Sequence, residues 1–171
     1  MADMYKQEWE VECGTNQQMA ERIEDVLTDE NGIVTFQGFA PMPSILGQVV
    51  ANHRRDGERA KIDNNPGGCN FDHRDATDKE MAAIQATGFK DWYDWQCHNW
   101  GTKWGPCEGT IKVSKYTFRD GTKHYTVVCH FESAWGPPER AKEKFETWLE
   151  NEFDENDYEL NCWHHAGPTP Y

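Results

Sequence analysis

The cysteines and histidines are the side chains of this sequence best suited to chemistry, and there are six and seven of them. Zinc sites need closely spaced ligand pairs such as Cys-x-x-Cys, and iron–sulfur clusters need longer cysteine runs. Neither pattern occurs, so no metal and no cofactor is expected, and the thiols are predicted to be small core residues. The candidates weighed are Cys97-His98, Cys107, Cys129-His130 and Cys162-Trp163-His164-His165.

The sequence lacks the common motifs of nucleophilic catalysis and of phosphate binding. The chain has no His-Glu-x-x-His, no Gly-x-Ser-x-Gly and neither Gly-rich phosphate fingerprint, and Pro66-Gly67-Gly68-Cys69 is too short to cradle a phosphate. A Cys97–His130 pair could be written for almost any chain with this many cysteines and histidines. A hydrolase using His124, His130 and His165 stays an alternative that no spacing rule selects. We therefore assign no catalytic residue and favour a protein that is not an enzyme.

The charge balance excludes several classes of partner. Among 171 residues, 30 acidic and 17 basic side chains give a formal charge of −13, which repels nucleic acids and anionic membranes. No 18-residue apolar run and no basic-then-apolar leader occurs, so neither a membrane span nor a signal peptide is expected. The sequence thus predicts a cytoplasmic protein that binds neither membranes nor nucleic acid directly. The same charge suits a basic partner or simple dispersal in water.

The periodicity of apolar residues predicts an α+β fold. Alternating residues indicate strands, capping boxes at Thr15-x-x-Gln18 and Thr77-x-x-Glu80 indicate helix starts, and Asp120-Gly121 indicates a tight hairpin turn. The resulting plan is the ferredoxin-like split β-α-β, with two helices on one sheet face. The predicted strands are Glu8–Cys13, Ile33–Phe39, Gly109–Phe118, Lys123–Ser133 and Tyr158–His165, and the two core helices start at Thr15 and at Pro137-Pro138.

One domain is expected over residues 1–171, enlarged by an insertion. Residues 44–104 contain a polar stretch and a Trp-rich helix, too long for an ordinary connection after the second strand. The core is predicted to comprise about 8–43 and 105–165, followed by a Pro-rich tail at 166–171.

Three short motifs resemble the YubB-type ferredoxin-like domain of phage and plasmid proteins. They are Phe39-Ala40-Pro41-Met42-Pro43, Asn99-Trp100-Gly101-Thr102-Lys103-Trp104 and Ser133-Ala134-Trp135-Gly136-Pro137-Pro138. Departures are Gly136, where the family usually has Ser, and the ending Cys162-Trp163-His164-His165. The resemblance, from about residue 8 to 165, implies a ferredoxin-like fold without an iron–sulfur cluster and a mobile-element origin. It implies no established activity.

Two surfaces are candidate binding sites. The open sheet face, with Glu8, Glu10 and Glu12 at its centre, could hold a small planar ligand or could be covered by the insertion. Its expected ligand-binding residues are Trp100, Lys103, Trp104, His130, Trp163 and His165. The second surface is a run of carboxylates that could imitate phosphates or attract a basic protein. Its partner-binding residues are Glu146, Glu150, Glu152, Asp154, Glu155 and Asp157.

The favoured function is that of a phage or mobile-element accessory protein that binds and inhibits a host factor, with a possible anti-defence role. The alternative is a protein that binds or sequesters a small ligand or nucleotide on the open sheet face, and a purely structural accessory domain is a third possibility. Neither the partner nor the oligomeric state follows from the sequence. Trp100 and Trp104 are expected to clamp the insertion to the sheet, which leaves Lys103 unexplained.

Overall fold

The computed structural model describes residues 3–48 and 77–165. Contacts divide the chain into two compact units, Met1–Pro41 with Trp100–Tyr171 and Met42–Asn99, which we call the first and second units. The loop Pro66–Cys69 and the tail 166–171 lie outside the described residues. In the described ranges no helix is both long and apolar enough to cross a membrane.

The first unit is built on a four-stranded antiparallel sheet with the strand order β2-β3-β1-β4. Strand β1 is Met4–Glu12, β2 is Cys107–Thr117, β3 is Lys123–Ala134 and β4 is Glu159–His164. β1 pairs with β3 on one side and with β4 on the other. The predicted hairpin is confirmed, because Gly121 takes the positive φ of 86° that its tight turn requires.

Alternation of side chains sends the apolar half of β1 into the core. Trp9 and Val11 are 2% and 1% exposed, and they share a face with Val127 and Cys129 of β3. The helices α1 (Gln17–Leu27) and α4 (Glu139–Glu152) bury their apolar residues in the same core. The fold is therefore of the mixed α+β class.

An aromatic cluster fills the space between sheet and helices. Trp9 stacks on Phe145 of α4, with ring centroids 5.4 Å apart, and on Phe36, at 5.7 Å. Phe131 of β3 meets the Trp9 ring edge-on at 5.1 Å. Aromatic rings bury large areas, so this cluster supplies much of the hydrophobic stabilisation of the first unit.

The prediction of a strand over Ile33–Phe39 is wrong. This segment makes one isolated bridge, from Val34 to Thr28, and joins no sheet. The Asp29 carboxylate accepts hydrogen bonds from the backbone N–H groups of Asn31 and Ile33, which fixes a turn instead. Apolar residues alternate with polar ones in this segment because its turns bury Val34 and Phe36, while Ile33 is exposed.

The start of α1 also differs in detail from the prediction. Asn16, not Thr15, is the N-cap, and its side-chain oxygen accepts from the Met19 N–H at 2.9 Å. Asparagine is among the best N-cap residues, so the helix begins one residue later than a Thr15 cap implies.

The second unit contains a 3-10 turn at Ser44–Gln48 and the helices α2 (Asp78–Thr87) and α3 (Trp92–Asn99). The predicted capping box of Thr77 and Glu80 is confirmed, with both hydrogen bonds at 3.2 Å. Gly88 ends α2 in the left-handed conformation, with φ of 82°. The capping box thus located the start of this helix, and glycine is the residue type expected at its end.

Candidate functional site

The open face of the sheet carries the polar half of each strand. Glu8 of β1 lies directly between His130 of β3 and Trp163 of β4 in the strand register. His130 and Trp163 are exposed, the latter to 50%. The β1 glutamates are therefore at the centre of this face, as predicted, and His130 and Trp163 flank Glu8.

A cleft of about 340 Å³ lies in this region of the first unit. Its walls include Lys6, Glu8, Glu108, His130, Trp163 and His165. Three of the six predicted ligand residues, His130, Trp163 and His165, are thus brought together. An aromatic wall, carboxylates and imidazoles suit a planar ligand with hydrogen-bond donors or positive charge.

A short polar contact orients the imidazole in this cleft. His130 Nε2 lies 2.7 Å from Glu8 Oε2, with the two side chains 56% and 41% exposed. This contact fixes the orientation of the imidazole ring. No Ser, Thr or Cys lines the described cleft beside the pair.

Glu108 joins the cleft through a backbone irregularity that sequence reasoning missed. The register between β2 and β3 shifts between Cys107 and Thr110, and Glu108 has a positive φ of 48°. A bulge of this kind redirects a side chain, at a conformational cost of about 1–3 kcal/mol. Gly109 is a weak sequence signal of this bulge, because a glycine inside a strand often marks a bulge or a close approach of another segment. In the structure a Cβ at Gly109 would lie 2.5 Å from Val34 Cβ.

The other three predicted ligand residues do not line this cleft. Trp100 is 2% exposed and belongs to the core, where its ring meets Phe36 edge-on at 5.5 Å. Its Nε1 donates a hydrogen bond to the Ala40 carbonyl at 2.9 Å. Trp104 packs beside Met4 and Ala134.

The segment Trp100–Trp104 anchors the start of α4. The Trp100 carbonyl accepts from the Ala141 N–H at 3.2 Å, satisfying one of the N–H groups that a helix start leaves unpaired. The Thr102 hydroxyl donates to the Ala134 carbonyl at 3.1 Å. Lys103 Nζ lies 4.5 Å from the centre of the Trp104 ring, a cation–π contact that accounts for this cation.

The predicted partner-binding carboxylates lie on α4 and in the turn that follows it. Glu146 pairs with Lys142 at 3.6 Å, and Glu152 pairs with Arg22 of α1. Asp154 accepts a bond from the Asn156 N–H at 2.9 Å, and hydrogen bonds from Asn156 lower its pKa. The remaining three, Glu150, Glu155 and Asp157, are exposed.

Negative charge continues from this turn onto the open face. Burial raises the pKa of Glu10, and the nearby Glu12, Glu8 and Glu159 raise it further. Glu12 and Glu159 are directly opposite each other in the pairing of β1 with β4. We call Glu10, Glu12, Glu155, Asp157 and Glu159 the acidic edge. Like charges placed this way repel, so the fold carries the acidic edge at a cost.

Two cysteines, Cys13 and Cys129, are buried in the core as the sequence predicts, whereas Cys97, Cys107 and Cys162 are half-buried and Cys69 lies outside the described residues. Burial raises the pKa of Cys13 to about 11 and that of Cys129 to about 12. Cys162 is half-buried, and desolvation raises its pKa to about 12 as well. Such thiols are weak nucleophiles and poor metal ligands at neutral pH. Within residues 3–48 and 77–165, no cluster of three His, Cys, Asp or Glu side chains suits a metal ion.

Comparison with protein-family models, with curated proteins and with solved structures gives no match.

Proposed function

We propose that this chain is a phage or mobile-element accessory protein that binds a host protein with a basic surface, and that it does so through the acidic edge. An anti-defence role, in which binding inhibits the host factor, is the form of this function we favour.

One observation carries the proposal. Burial raises the pKa of Glu10, repulsion from Glu12, Glu8 and Glu159 raises it further, and no cation in the described part of the chain lies within ion-pair distance of Glu10, Glu12 or Glu159. A partner with lysines and arginines would compensate this repulsion, and the field would also speed the encounter.

We also propose that the first unit has the ferredoxin-like arrangement and that the chain is a member of the YubB-type family. The strand order β2-β3-β1-β4, with β1, α1, the β2–β3 hairpin, α4 and β4 in sequence, supports the split β-α-β plan. The second unit, Met42–Asn99, lies between α1 and β2 in the chain, as an insertion would. The motif residues Trp100, Gly101 and Thr102 have structural roles that a family motif would be expected to have.

Capture from a bacterial lysate tests the function. The immobilised wild-type protein is compared with a variant in which three of the five carboxylates of the acidic edge are neutralised, by Glu155→Gln, Asp157→Asn and Glu159→Gln. We expect a protein of basic surface to be retained by the wild type at low salt and lost on the variant.

The matched control neutralises three exposed carboxylates elsewhere in the first unit, Glu21→Gln, Asp25→Asn and Glu30→Gln. It has the same net charge as the test variant, so equal loss on both would show a general charge effect. Recovery of no partner by the wild type at any salt concentration would contradict the proposal.

The cleft supports a second candidate, binding of a small ligand or nucleotide on the open face. Its volume of about 340 Å³ suits a small molecule, and the half-exposed Trp163 offers a stacking surface. Lys6, and not Lys103, is the cation that lines it.

A thermal-shift screen with nucleotides and planar amines tests this candidate. A ligand of the cleft should raise the melting temperature of the wild type, and Trp163→Ala and Lys6→Ala should each abolish the shift. A shift that survives both substitutions would place the ligand elsewhere, and no shift with any compound would reject this candidate.

A further inference from the structure

The free end of the β2–β3 hairpin exposes aromatic rings that the core does not use. Tyr116 is 65% exposed and Phe118 is 44% exposed. Phe118 contacts Tyr116 and His124 edge-on, with centroid distances of 4.8 and 4.6 Å. Tyr116 and His124 are opposite each other in the register, on the open face. We call these three residues the hairpin patch.

Four exposed cations lie on the hairpin that carries the hairpin patch, namely Lys112, Lys115, Arg119 and Lys123. Lys112 shares the open face with Tyr116 and His124, whereas Lys115 and Lys123 lie on the opposite face of the hairpin, and Arg119 lies in its turn. No carboxylate of the described residues lies within ion-pair distance of any of these four cations. Between Gly109 and Ser133 the sequence has two carboxylates, Asp120 in the turn and Glu132 at the far end of the hairpin.

The acidic edge weakens this local charge unevenly. Successive strands lie about 4.8 Å apart, so β2 is roughly 10 Å from Glu10 and Glu12 on β1 and roughly 14 Å from β4. Glu10 and Lys112 are both opposite Val128 of β3, and Glu12 is opposite Thr126. Charge interactions decay over about 8 Å at physiological salt, so the carboxylates of β1 affect Lys112 more than they affect the cations at the end of the hairpin. The net charge of −13 thus averages over two unlike regions.

Exposed rings with flanking cations are what single-stranded nucleic acid requires. Bases stack on aromatic side chains, each for about 1–3 kcal/mol, while lysine and arginine neutralise phosphates. An open sheet face also admits splayed bases, which a duplex does not offer. An acidic protein segment would use the cations but has no need of three adjacent rings.

We propose that the hairpin patch, with Lys112, Lys115, Arg119 and Lys123, binds single-stranded nucleic acid. The site differs from the acidic edge and from the cleft, and the proposal departs from the expectation, drawn from net charge, of no direct nucleic-acid binding. Bases stack on Tyr116 and Phe118, and phosphates contact two to four of the cations.

Fluorescence anisotropy with a labelled dT12 oligonucleotide tests the proposal on the full chain. Neutralising two to four phosphates predicts that affinity falls between roughly 7-fold and roughly 50-fold when salt rises from 50 to 200 mM. The double variant Tyr116→Ser with Phe118→Ser should weaken binding at least 10-fold. Lys112→Gln with Arg119→Gln should weaken binding and also flatten the salt dependence.

Controls separate the site from general effects. Trp135→Ser removes an aromatic side chain that is 48% exposed elsewhere, and Lys144→Gln removes an exposed cation of α4; both should bind as the wild type does. Unchanged thermal unfolding shows that the exposed substitutions leave the fold intact. Absence of dT12 binding at 50 mM salt would overturn the proposal. Binding of a labelled oligoglutamate peptide in place of dT12 would overturn it as well.

Discussion

The burial of Lys90 is unexpected for a lysine, because its side chain is only 1% exposed. It forms ion pairs with Asp91, at 3.2 Å, and with Asp94, and both aspartates are almost completely buried. Burial alone would lower the pKa of Lys90, but the hydrogen bonds and charges of the two aspartates outweigh it and raise the pKa. The lysine therefore stays charged inside the second unit.

Replacing this lysine by an apolar residue should be costly. Lys90→Met leaves two buried carboxylates without their cation, and we expect the free energy of unfolding to fall by about 3–5 kcal/mol. Adding Asp91→Asn and Asp94→Asn should restore most of the loss, since neither position then carries a buried charge. Urea unfolding of both variants measures this, and equal stability of the single and triple variants would refute the account.

Cys129 should be chemically inert in the folded protein. A rise of its pKa from 9.0 to about 12 lowers the thiolate fraction roughly a thousand-fold at neutral pH. Residue-resolved alkylation with iodoacetamide at pH 8 should label Cys129 far more slowly in the native protein than in urea. Similar rates in the two conditions would show that the thiol is not buried as described.

Sequence reasoning at this scale succeeded where side-chain type decides burial. The thiols were predicted to be core residues, and Cys13 and Cys129 are 1% and 0% exposed. Lys90 could not be predicted, because its burial depends on Asp91 and Asp94 meeting it in three dimensions. Glu108 was missed because its backbone is set by the bulge in the pairing of β2 with β3.

At the scale of elements, Gly101 shows why the Trp100–Trp104 segment has its sequence. Its φ is +74°, and a Cβ would lie 3.4 Å from the Arg140 backbone nitrogen at the start of α4. Glycine thus allows the segment to pass close to the helix while Trp100 supplies its carbonyl.

Gly101→Ala should therefore lower the free energy of unfolding by about 1–2 kcal/mol, the cost of a left-handed backbone with a side chain. The control is Gly47→Ala, because a Cβ at Gly47 meets nothing within 4 Å and its φ is not positive. Thermal or urea unfolding of the two variants gives the comparison. A Gly101→Ala protein as stable as the Gly47→Ala protein would be incompatible with the described geometry.

The elements themselves were predictable wherever a local rule acts. The hairpin follows from Asp120-Gly121, and helix α2 follows from Thr77, Glu80 and Gly88. The strand prediction for Ile33–Phe39 was wrong because a turn that packs Phe36 against Trp9 produces the same alternation of buried and exposed residues. Periodicity reports burial, and a strand is only one way to bury every second residue.

For the whole molecule, charge distribution matters more than net charge. The acidic edge and the hairpin patch occupy different strands of one sheet, and the sequence total of −13 reveals only the first. The sequence did locate the carboxylates of α4 and of the open face. It could not show that Glu12 and Glu159 meet, because that depends on the register of β1 with β4.

Glu10 gives the acidic edge a pH signature. Its pKa is raised above 4.5, so the folded state binds more protons than the unfolded state between the two values. The stabilisation that the protonated Glu10 side chain contributes is complete below about pH 4.5, and it is lost as pH rises through the raised pKa. Glu10→Gln should thus be more stable than the wild type at pH 7, by up to about 1 kcal/mol, with the difference shrinking toward pH 4.5.

Urea unfolding of Glu10→Gln and wild type between pH 4.5 and 7.5 measures this difference. Glu21→Gln, at an exposed position of α1, serves as the control and should show no such trend. A Glu10→Gln protein that is less stable than wild type at pH 7 would contradict the repulsion described for the acidic edge.

The affinity of the captured partner, measured as a function of salt, tests the central claim most directly. For the wild type and the control variant Glu21→Gln, Asp25→Asn, Glu30→Gln, affinity should be equal and should fall steeply with rising salt. For Glu155→Gln, Asp157→Asn, Glu159→Gln, affinity should be at least 10-fold lower and less dependent on salt. Equal affinity and equal salt dependence for all three proteins would contradict a function carried by the acidic edge.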